Sequence, residues 1–353
     1  MTSSSSMETH VVIMAGGVGS RFWPMSTPEY PKQFIDVLGC GKSLLRLTFE
    51  RFLPLCPPGN IWVVTSAAYE SIVRSQLPEL PAQNILGEPC ARNTAPCIAW
   101  AGWKIAARDP GANIVVTPSD ALVLDAEEYR KVISEALDFT VNGETIVTVG
   151  IKPTRPETGY GYICSGAPAA GAVLAVDSFK EKPSLEVARQ YLAAGNYFWN
   201  AGIFVWNVST LVSSMRRHAP QIAAVMDSLA PSFYTEVEKD AVEKLFPECE
   251  KISIDYAVME KASNIFTIPG DFGWSDLGTW GSLLQNMGKD SEGNASVGHG
   301  VHLYDCKDSI VHVSDLSVAT ICGLDGYIVA ERGDRLLICP LSEEQRIRDF
   351  EKD

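Results

Sequence analysis

A chain of 353 residues exceeds what one hydrophobic core usually serves, so one large domain and a smaller one are expected. Hydrophobic residues make up 46% and charged residues 20%, the composition of a soluble globular protein, and a formal net charge of −14 makes the chain a poor general binder of nucleic acid or of anionic membranes. Any phosphate substrate must therefore meet locally concentrated positive charge, beside a turn that lets the backbone come close.

The opening residues, MTSSSSMETH, carry neither a basic region nor an apolar run. No secretion signal is expected there, and residues 1–9 read as a disordered lead. Residues 10–15, dense in Val and Ile, read as a short buried strand that the glycines at 16–19 break. A second strand is expected over 60–65 and a helical stretch over 69–76. Asn93 and Thr94 are capping residues in type, Pro96 is tolerated in a first turn, and this helix should run through 106 and stop before Asp109-Pro110-Gly111. Residues 113–117 form another apolar strand, ending at Pro118-Ser119-Asp120. A helix from about 125 towards 141, closed by Asn142-Gly143, precedes a strand at 145–151. This alternation implies an α/β, Rossmann-like domain over 10–288, a mostly parallel sheet with helices on both faces.

From Gly293 the texture changes. Short apolar runs at 301–304, 309–313, 327–330 and 336–338 are separated by Gly and Asp turns, and a charged helical tail follows at 342–353. Residues 293–353 read as a small β-helix-like module. A module this short is marginal alone, and a stack of short strands leaves an apolar edge to cover, so a homodimer that depends on it is expected. The nine cysteines are odd in number, widely spaced and form no CxxC pair, which fits a reducing, cytoplasmic setting without disulfides or zinc. The apolar stretch at 97–103 is broken by Lys104 and too short to span a bilayer.

The strongest chemical signal is Ala15-Gly16-Gly17-Val18-Gly19-Ser20-Arg21, directly after a strand. Glycines let the backbone approach a ligand and aim its N–H groups at phosphate oxygens. A dinucleotide fingerprint needs a small residue where Phe22 stands, and a P-loop needs Lys-Ser/Thr after its last glycine, so both are excluded. Arg21 follows instead, and Lys32 lies nearby in Pro31-Lys32-Gln33-Phe34, cations suited to a triphosphate. Asp120 ends a strand, where open α/β sheets place ligands. Asp276 lies in Gly273-Trp274-Ser275-Asp276, and magnesium is usually held by one or two carboxylates plus substrate phosphates. Glu88 could accept both N–H groups on the Watson–Crick edge of guanine, although a turn residue before Pro89 reads equally well. Arg92-Asn93-Thr94 opens a helix, which favours nearby anions. The Asn200 amide offers an acceptor and donors to sugar hydroxyls.

These segments resemble the nucleoside-diphosphate-sugar pyrophosphorylases, specifically the guanylyltransferase branch. GGVGSRFWPMSTPEYPKQF is similar to the family signature, and the resemblance continues through GEPCARNTAPCIA, PSD, GYGYI, FKEKP, WNAGIF, SIDYAVMEK and GWSDLGTW, in the family's order. It implies the nucleotidyltransferase fold and transfer of GMP from GTP to mannose 1-phosphate. It also implies that Asp120 and Asp276 pair on Mg2+, and that Ser119 joins the glycine loop, Glu88 and Arg92 to Thr94 on the nucleotide. By the same resemblance Lys182 binds the sugar phosphate, Glu181 contacts sugar hydroxyls, and Gly161 and Tyr162 offer backbone contacts to the sugar, beside Asn200. One departure is Ala121, where the family often has histidine after PSD. Thymidylyl or uridylyl transfer to another hexose phosphate, or an inactive nucleotide-sugar sensor, remain as alternatives; the retained Arg21, Lys32, Asp120, Lys182 and Asp276 argue against the sensor.

Overall fold

The computed structural model describes residues 8–17, 19–141 and 143–350. Of the expected features, the lead at 1–7, Val18, the helix-closing Asn142 and the last residues of the tail lie outside them. In chain order the first half holds β1 (Thr9–Ala15), α1 (Leu44–Phe52), β2 (Ile61–Ser66), α2 (Glu70–Gln76), β3 (Ile85–Glu88), α3 (Thr94–Arg108), β4 (Asn113–Pro118), β5 (Leu122–Val123) and α4 (Ala126–Thr140). Then come β6 (Ile146–Ile151), β7 (Tyr162–Ala170), β8 (Val173–Lys180), α5 (Leu185–Ala194), β9 (Tyr197–Asn207), α6 (Val208–His218), α7 (Pro220–Leu229), α8 (Glu238–Leu245) and β10 (Ile265–Gly270). The remainder is β11 (Trp274–Ser275), α9 (Trp280–Asn286), β12 (Ala295–Val297), β13 (Val301–Tyr304), β14 (Ile310–Val313), β15 (Ala319–Cys322), β16 (Tyr327–Arg332), β17 (Arg335–Pro340) and α10 (Ile347–Phe350).

Two compact units emerge. The first comprises residues 1–16, 49–118 and 123–274; the second comprises 17–48, 119–122 and 275–353.

The first unit is built on a nine-stranded sheet in the order β3-β2-β1-β4-β9-β6-β10-β8-β7. β3, β2, β1 and β4 pair in parallel, as do β6 and β10, while β8 and β9 run against their neighbours. The mostly parallel sheet expected from the strand-helix rhythm is therefore present. Alternation along each strand divides the buried residues between two faces. Val12, Val64, Ile114 and Val116 join Ile98, Trp100, Leu211 and Met226 of the helices α3, α6 and α7 in one core. Val11, Ile13, Val63 and Val115 are equally buried and point the other way. On α4, Tyr129 is fully buried and its ring meets Phe52 and Phe272 edge-on at 5.7 and 5.1 Å. Asp125 caps α4 by accepting from the N–H groups of Glu127 and Glu128.

The second unit contains the expected stack of short strands. β12, β14 and β16 are parallel rungs, with Ala295, Ile310 and Ile328 in register, and β17 closes the sheet antiparallel to β16. β13 and β15 form a parallel pair beside them; β12 and β15 were not read from the sequence. In β14, Ile310 joins a core with Phe22, Met25, Ile35, Trp280, Leu337 and Ile347, whereas Val311 and Val313 join Val329 in a second cluster. The segment after the glycine turn and the C-terminal rungs thus bury their apolar side chains in one core.

Candidate active site

The glycine turn leaves the carboxyl end of β1. Gly17 holds φ of +104°, and among the described residues no heavy atom other than those of chain neighbours comes within 4 Å of where a β-carbon would sit on Gly16 or on Gly17. Both glycines are exposed, with the Gly17 carbonyl accepting from the Gln33 amide at 3.2 Å, and the open space beside them suits a phosphate cradle. Ala15 is fully buried and its carbonyl accepts the hydroxyl of Thr65 at 2.7 Å. Gly19, at φ of +67°, packs so tightly that a β-carbon would stand 2.7 Å from that of Lys32. Ser20, Arg21 and Phe22 form one 3₁₀ turn.

In the second unit the two aspartates are joined through a lysine. Lys32 is 4% exposed, and its ammonium meets Oδ2 of Asp120 at 3.0 Å, the carbonyl of Asp276 at 2.8 Å and that of Leu277 at 3.1 Å. All three of its N–H bonds are engaged, which braces the Asp120 carboxylate against the 276–277 backbone. Asp276 folds back on its own turn, Oδ1 accepting from the N–H of Gly278 at 3.1 Å. Arg21 reaches the carbonyl of Gly278 at 3.4 Å, a weak bond that leaves its fork available. Ser119 is buried and its carbonyl accepts from Thr48 at 3.2 Å, which fixes the backbone before Asp120. Ala121, in the place of the family's histidine, is also buried.

In the first unit, the residues expected to meet the sugar phosphate converge. Glu181 is 9% exposed and pairs with the Lys182 ammonium at 2.7 Å. Burial alone would lower the Lys182 pKa, but the hydrogen bond and charge of Glu181, with Asp255 behind it, hold it above the ordinary value. Lys182 adopts φ of +47°, the left-handed region where a side chain is strained. A β-carbon on Gly161 would meet Oε2 of Glu181 at 2.5 Å, so glycine there leaves room for the carboxylate. The Gly161 carbonyl accepts the Asn200 N–H at 2.8 Å, and Tyr162 follows it, fully buried, into β7. The Asn200 amide is fixed on both sides: Oδ1 accepts from Thr148 at 3.1 Å and from the Gly202 N–H at 3.0 Å, and Nδ2 donates to Asp255 at 3.0 Å. Asp255, Glu260 and Thr148 were missed by sequence reasoning.

Glu88 ends β3, and its Oε1 is enclosed without a hydrogen-bond partner. Burial raises its pKa to about 8. An enclosed carboxyl lacking a donor is what a base reader would present. The neighbouring helix start is more self-contained than expected. Asn93 accepts from the Thr94 N–H, Thr94 accepts from Ile254, the Ala95 N–H goes to Ile252, and Pro96 has none to give. Arg92 donates to the carbonyl of Pro247 while its Nε stays buried and unpartnered.

Among the described residues one further group, Glu8, His10 and Asp109, brings three ligand-type atoms together. Nδ1 of His10 accepts from the Trp62 indole at 3.1 Å, so the proton sits on Nε2, the nitrogen facing Asp109, and no lone pair is left for a metal.

Residues 10–293 match the nucleotidyl transferase family. The xanthan biosynthesis protein XanB of Xanthomonas campestris pv. campestris (strain B100) is 37% identical over 345 residues, 96% of this chain and 71% of that protein. A mannose-1-phosphate guanylyltransferase of Salmonella muenchen is 35% identical over 349 residues, 97% of this chain and 72% of that protein. The crystal structure of a mannose-1-phosphate geranyltransferase from Thermus thermophilus superposes with a TM-score of 0.88 at 34% identity, covering 98% of this chain and 99% of that one.

Proposed function

The chain belongs to the nucleotidyl transferase family, beside mannose-1-phosphate guanylyltransferases, and on that premise we propose that it converts GTP and mannose 1-phosphate into GDP-mannose and pyrophosphate. The observation that carries the reading is the open space beside the exposed Gly16 and Gly17, followed by Arg21 and the Asp120–Lys32–Asp276 brace. A phosphate oxygen of mannose 1-phosphate attacks the α-phosphorus of GTP in line; the bond to the β-phosphate breaks and pyrophosphate leaves. The attacking oxygen is already ionised at neutral pH, so positioning and charge stabilisation suffice. In this reading Gly16, Gly17, Gly19, Ser20 and Arg21 take the triphosphate, Lys32 keeps Asp120 and the 276–278 turn aligned beside it, and Lys182 holds the sugar phosphate while Glu181 and Asn200 meet the hydroxyls. Pyrophosphate release measured across nucleoside triphosphates and hexose 1-phosphates tests this. A preference for another pair would replace it.

Magnesium suits the Asp120–Asp276 side chemically. The donors are hard oxygens, Asp120 is half-exposed, and the Lys32 cation already lies between its carboxylate and the backbone of Asp276. When bound, the ion would screen the charge of the phosphates and draw electron density from the α-phosphorus.

Glu88 is the proposed guanine reader. To accept from N1–H and the 2-amino group it must be ionised, yet its protein surroundings favour the proton up to about pH 8. GTP binding should therefore release a proton and weaken as the pH falls below that value. Because the folded chain holds the proton more tightly than the unfolded one, stability from this group is present at low pH and is lost as the pH rises from the ordinary glutamate range towards 8. Glu88→Gln is expected to raise KM for GTP about 10–100-fold, the worth of one bidentate base contact. The same variant should melt higher than the parent, by a margin that widens between pH 5 and 8. An unchanged KM for GTP would remove Glu88 from the base site.

We also propose a homodimer and a cytoplasmic location. Leu336 and Ile338 are each 57% exposed on the edge strand β17, while Leu337 between them and Cys339 after them are buried. Tyr304, Leu316 and Val318 add further exposed apolar surface in this unit. An uncovered apolar edge invites a second copy. A truncation near residue 288 is a poor test, because the rungs share a core with Phe22, Met25 and Ile35. The double substitution Leu336→Lys, Ile338→Lys leaves that core alone and should turn a dimer into a monomer by light scattering; a dimer that persists would place the contact elsewhere. Unpaired cysteines and substrates of central metabolism support the location, and no helix of the described residues is long and apolar enough to cross a membrane.

A further inference from the structure

The block SIDYAVMEK has no role in the chemistry so far, yet it supplies two carboxylates to the sugar-phosphate residues. We infer that the π-turn Asp255–Met259 is a positioning element, in which Asp255 sets the Asn200 amide and Glu260 sets the main chain of Glu181. The inference rests on the proposed assignment of Asn200, Glu181 and Lys182 to the sugar phosphate.

The turn explains why both carboxylates are available. A π-turn closes its hydrogen bond over five residues, and here the Glu260 N–H returns to the Asp255 carbonyl at 2.9 Å. In an α-helix, positions five apart diverge by more than a quarter turn; the wider ring brings them nearer to one side. Glu260 then accepts the N–H of Glu181 at 3.2 Å and stands 3.7 Å from the Lys180 ammonium. That N–H lies immediately before Lys182, whose strained backbone needs an external hold.

Asp255 acts on Asn200 by exhausting its alternatives. An amide oxygen accepts two hydrogen bonds and its nitrogen donates two. Both acceptor sites are filled by Thr148 and Gly202, and one donor is filled by Asp255. The amide cannot flip, since a flip would set its oxygen against the Asp255 carboxylate and its nitrogen against the Gly202 N–H. One N–H remains, so Asn200 serves a ligand as a donor only. The sequence alone allowed either role; the network selects a hydroxyl or phosphate oxygen as the partner. Burial, and then the charge of Glu181, push the Asp255 pKa up to about 6, as befits a carboxylate enclosed beside another.

The test compares Asp255→Ala with Asp255→Asn, and Glu260→Ala with Glu260→Gln, in the full chain. Mannose 1-phosphate binding is followed by calorimetry and by its KM, with KM for GTP and the melting temperature as controls. Each alanine variant should weaken mannose 1-phosphate about 10-fold or more, the loss of one charge-assisted hydrogen bond, with KM for GTP within about twofold. The amide variants still carry a side-chain oxygen that can accept, so they should recover most of the affinity. Alanine variants that bind mannose 1-phosphate normally would overturn the inference, as would amide variants no better than alanine, which would show that charge rather than position matters. Should one alanine variant unfold, the other pair decides. If the unaltered chain binds mannose 1-phosphate but makes no GDP-mannose, the functional reading fails while the positioning role stands; normal synthesis with insensitive variants has the opposite meaning.

Discussion

Exchange of Asp120 for asparagine is expected to lower turnover at least ~10²-fold, comparable to removing one strong electrostatic stabiliser from an active site. The fold should barely notice. The Asp120 side chain is 44% exposed, and ion pairs of that kind contribute at most about 1 kcal/mol. Lys32 would keep its bonds to the carbonyls of Asp276 and Leu277, so the brace should survive without its acidic end. Turnover at saturating magnesium and a melting curve make the check, with a titration of magnesium beside them. If turnover at saturating magnesium stays within a few-fold of the parent, Asp120 is not a metal ligand and its role ends at Lys32.

The second large effect is expected at Lys182. Lys182→Ala should raise KM for mannose 1-phosphate at least ~10²-fold, because a charge-assisted contact to a dianion is lost and the Glu181 carboxylate, 9% exposed, is left facing the same phosphate. KM for GTP should change little. The backbone supplies an internal control. A non-glycine residue at φ of +47° carries strain of ~1–2 kcal/mol. Lys182→Gly relieves it, so the glycine variant should melt no lower than the alanine variant while being equally impaired with the sugar phosphate. A strained lysine retained at this position makes sense only if its side chain must start from there. Parent-like KM for mannose 1-phosphate in both variants would remove Lys182 from the site.

The parts of this fold that were legible in the sequence are those whose signal is local. The strand 10–15 and its glycine break, the Asn93 and Asp125 caps, and the α3 and α4 stretches follow from residue type and periodicity within a dozen positions. The strands β7 to β10 were not resolved individually, because β9 runs antiparallel between β4 and β6 and its pairing is decided by residues 48 to 94 positions away, from Ile151↔Trp199 to Asn113↔Asn207. Nor does periodicity reveal that Phe22 and Met25 share a core with Ile328 and Leu337. At the site, motif blocks offered candidates but not their mutual contacts. Lys32 was read as a phosphate ligand, and its three oxygen neighbours, which also make it a brace, could not be read from the sequence. Asp255 and Glu260 lay in a recognised block, but five-residue spacing belongs to no regular helix or strand and gave no reason to pair them.

The shared core of the second unit has a consequence for the order in which this protein matures. Synthesis delivers Phe22, Met25 and Ile35 early, yet the partners that bury them, Ile310, Ile328 and Leu337, are among the last residues made. At ~5–20 residues per second, Phe22, Met25 and Ile35 precede those partners by tens of seconds. The packing around the glycine-turn segment is therefore completed late, by the final rungs rather than by the segment that bears the signature. A nascent chain halted before residue 310 would carry every glycine of the turn and still lack Ile310, Ile328 and Leu337, leaving Phe22, Met25 and Ile35 more exposed to a chaperone.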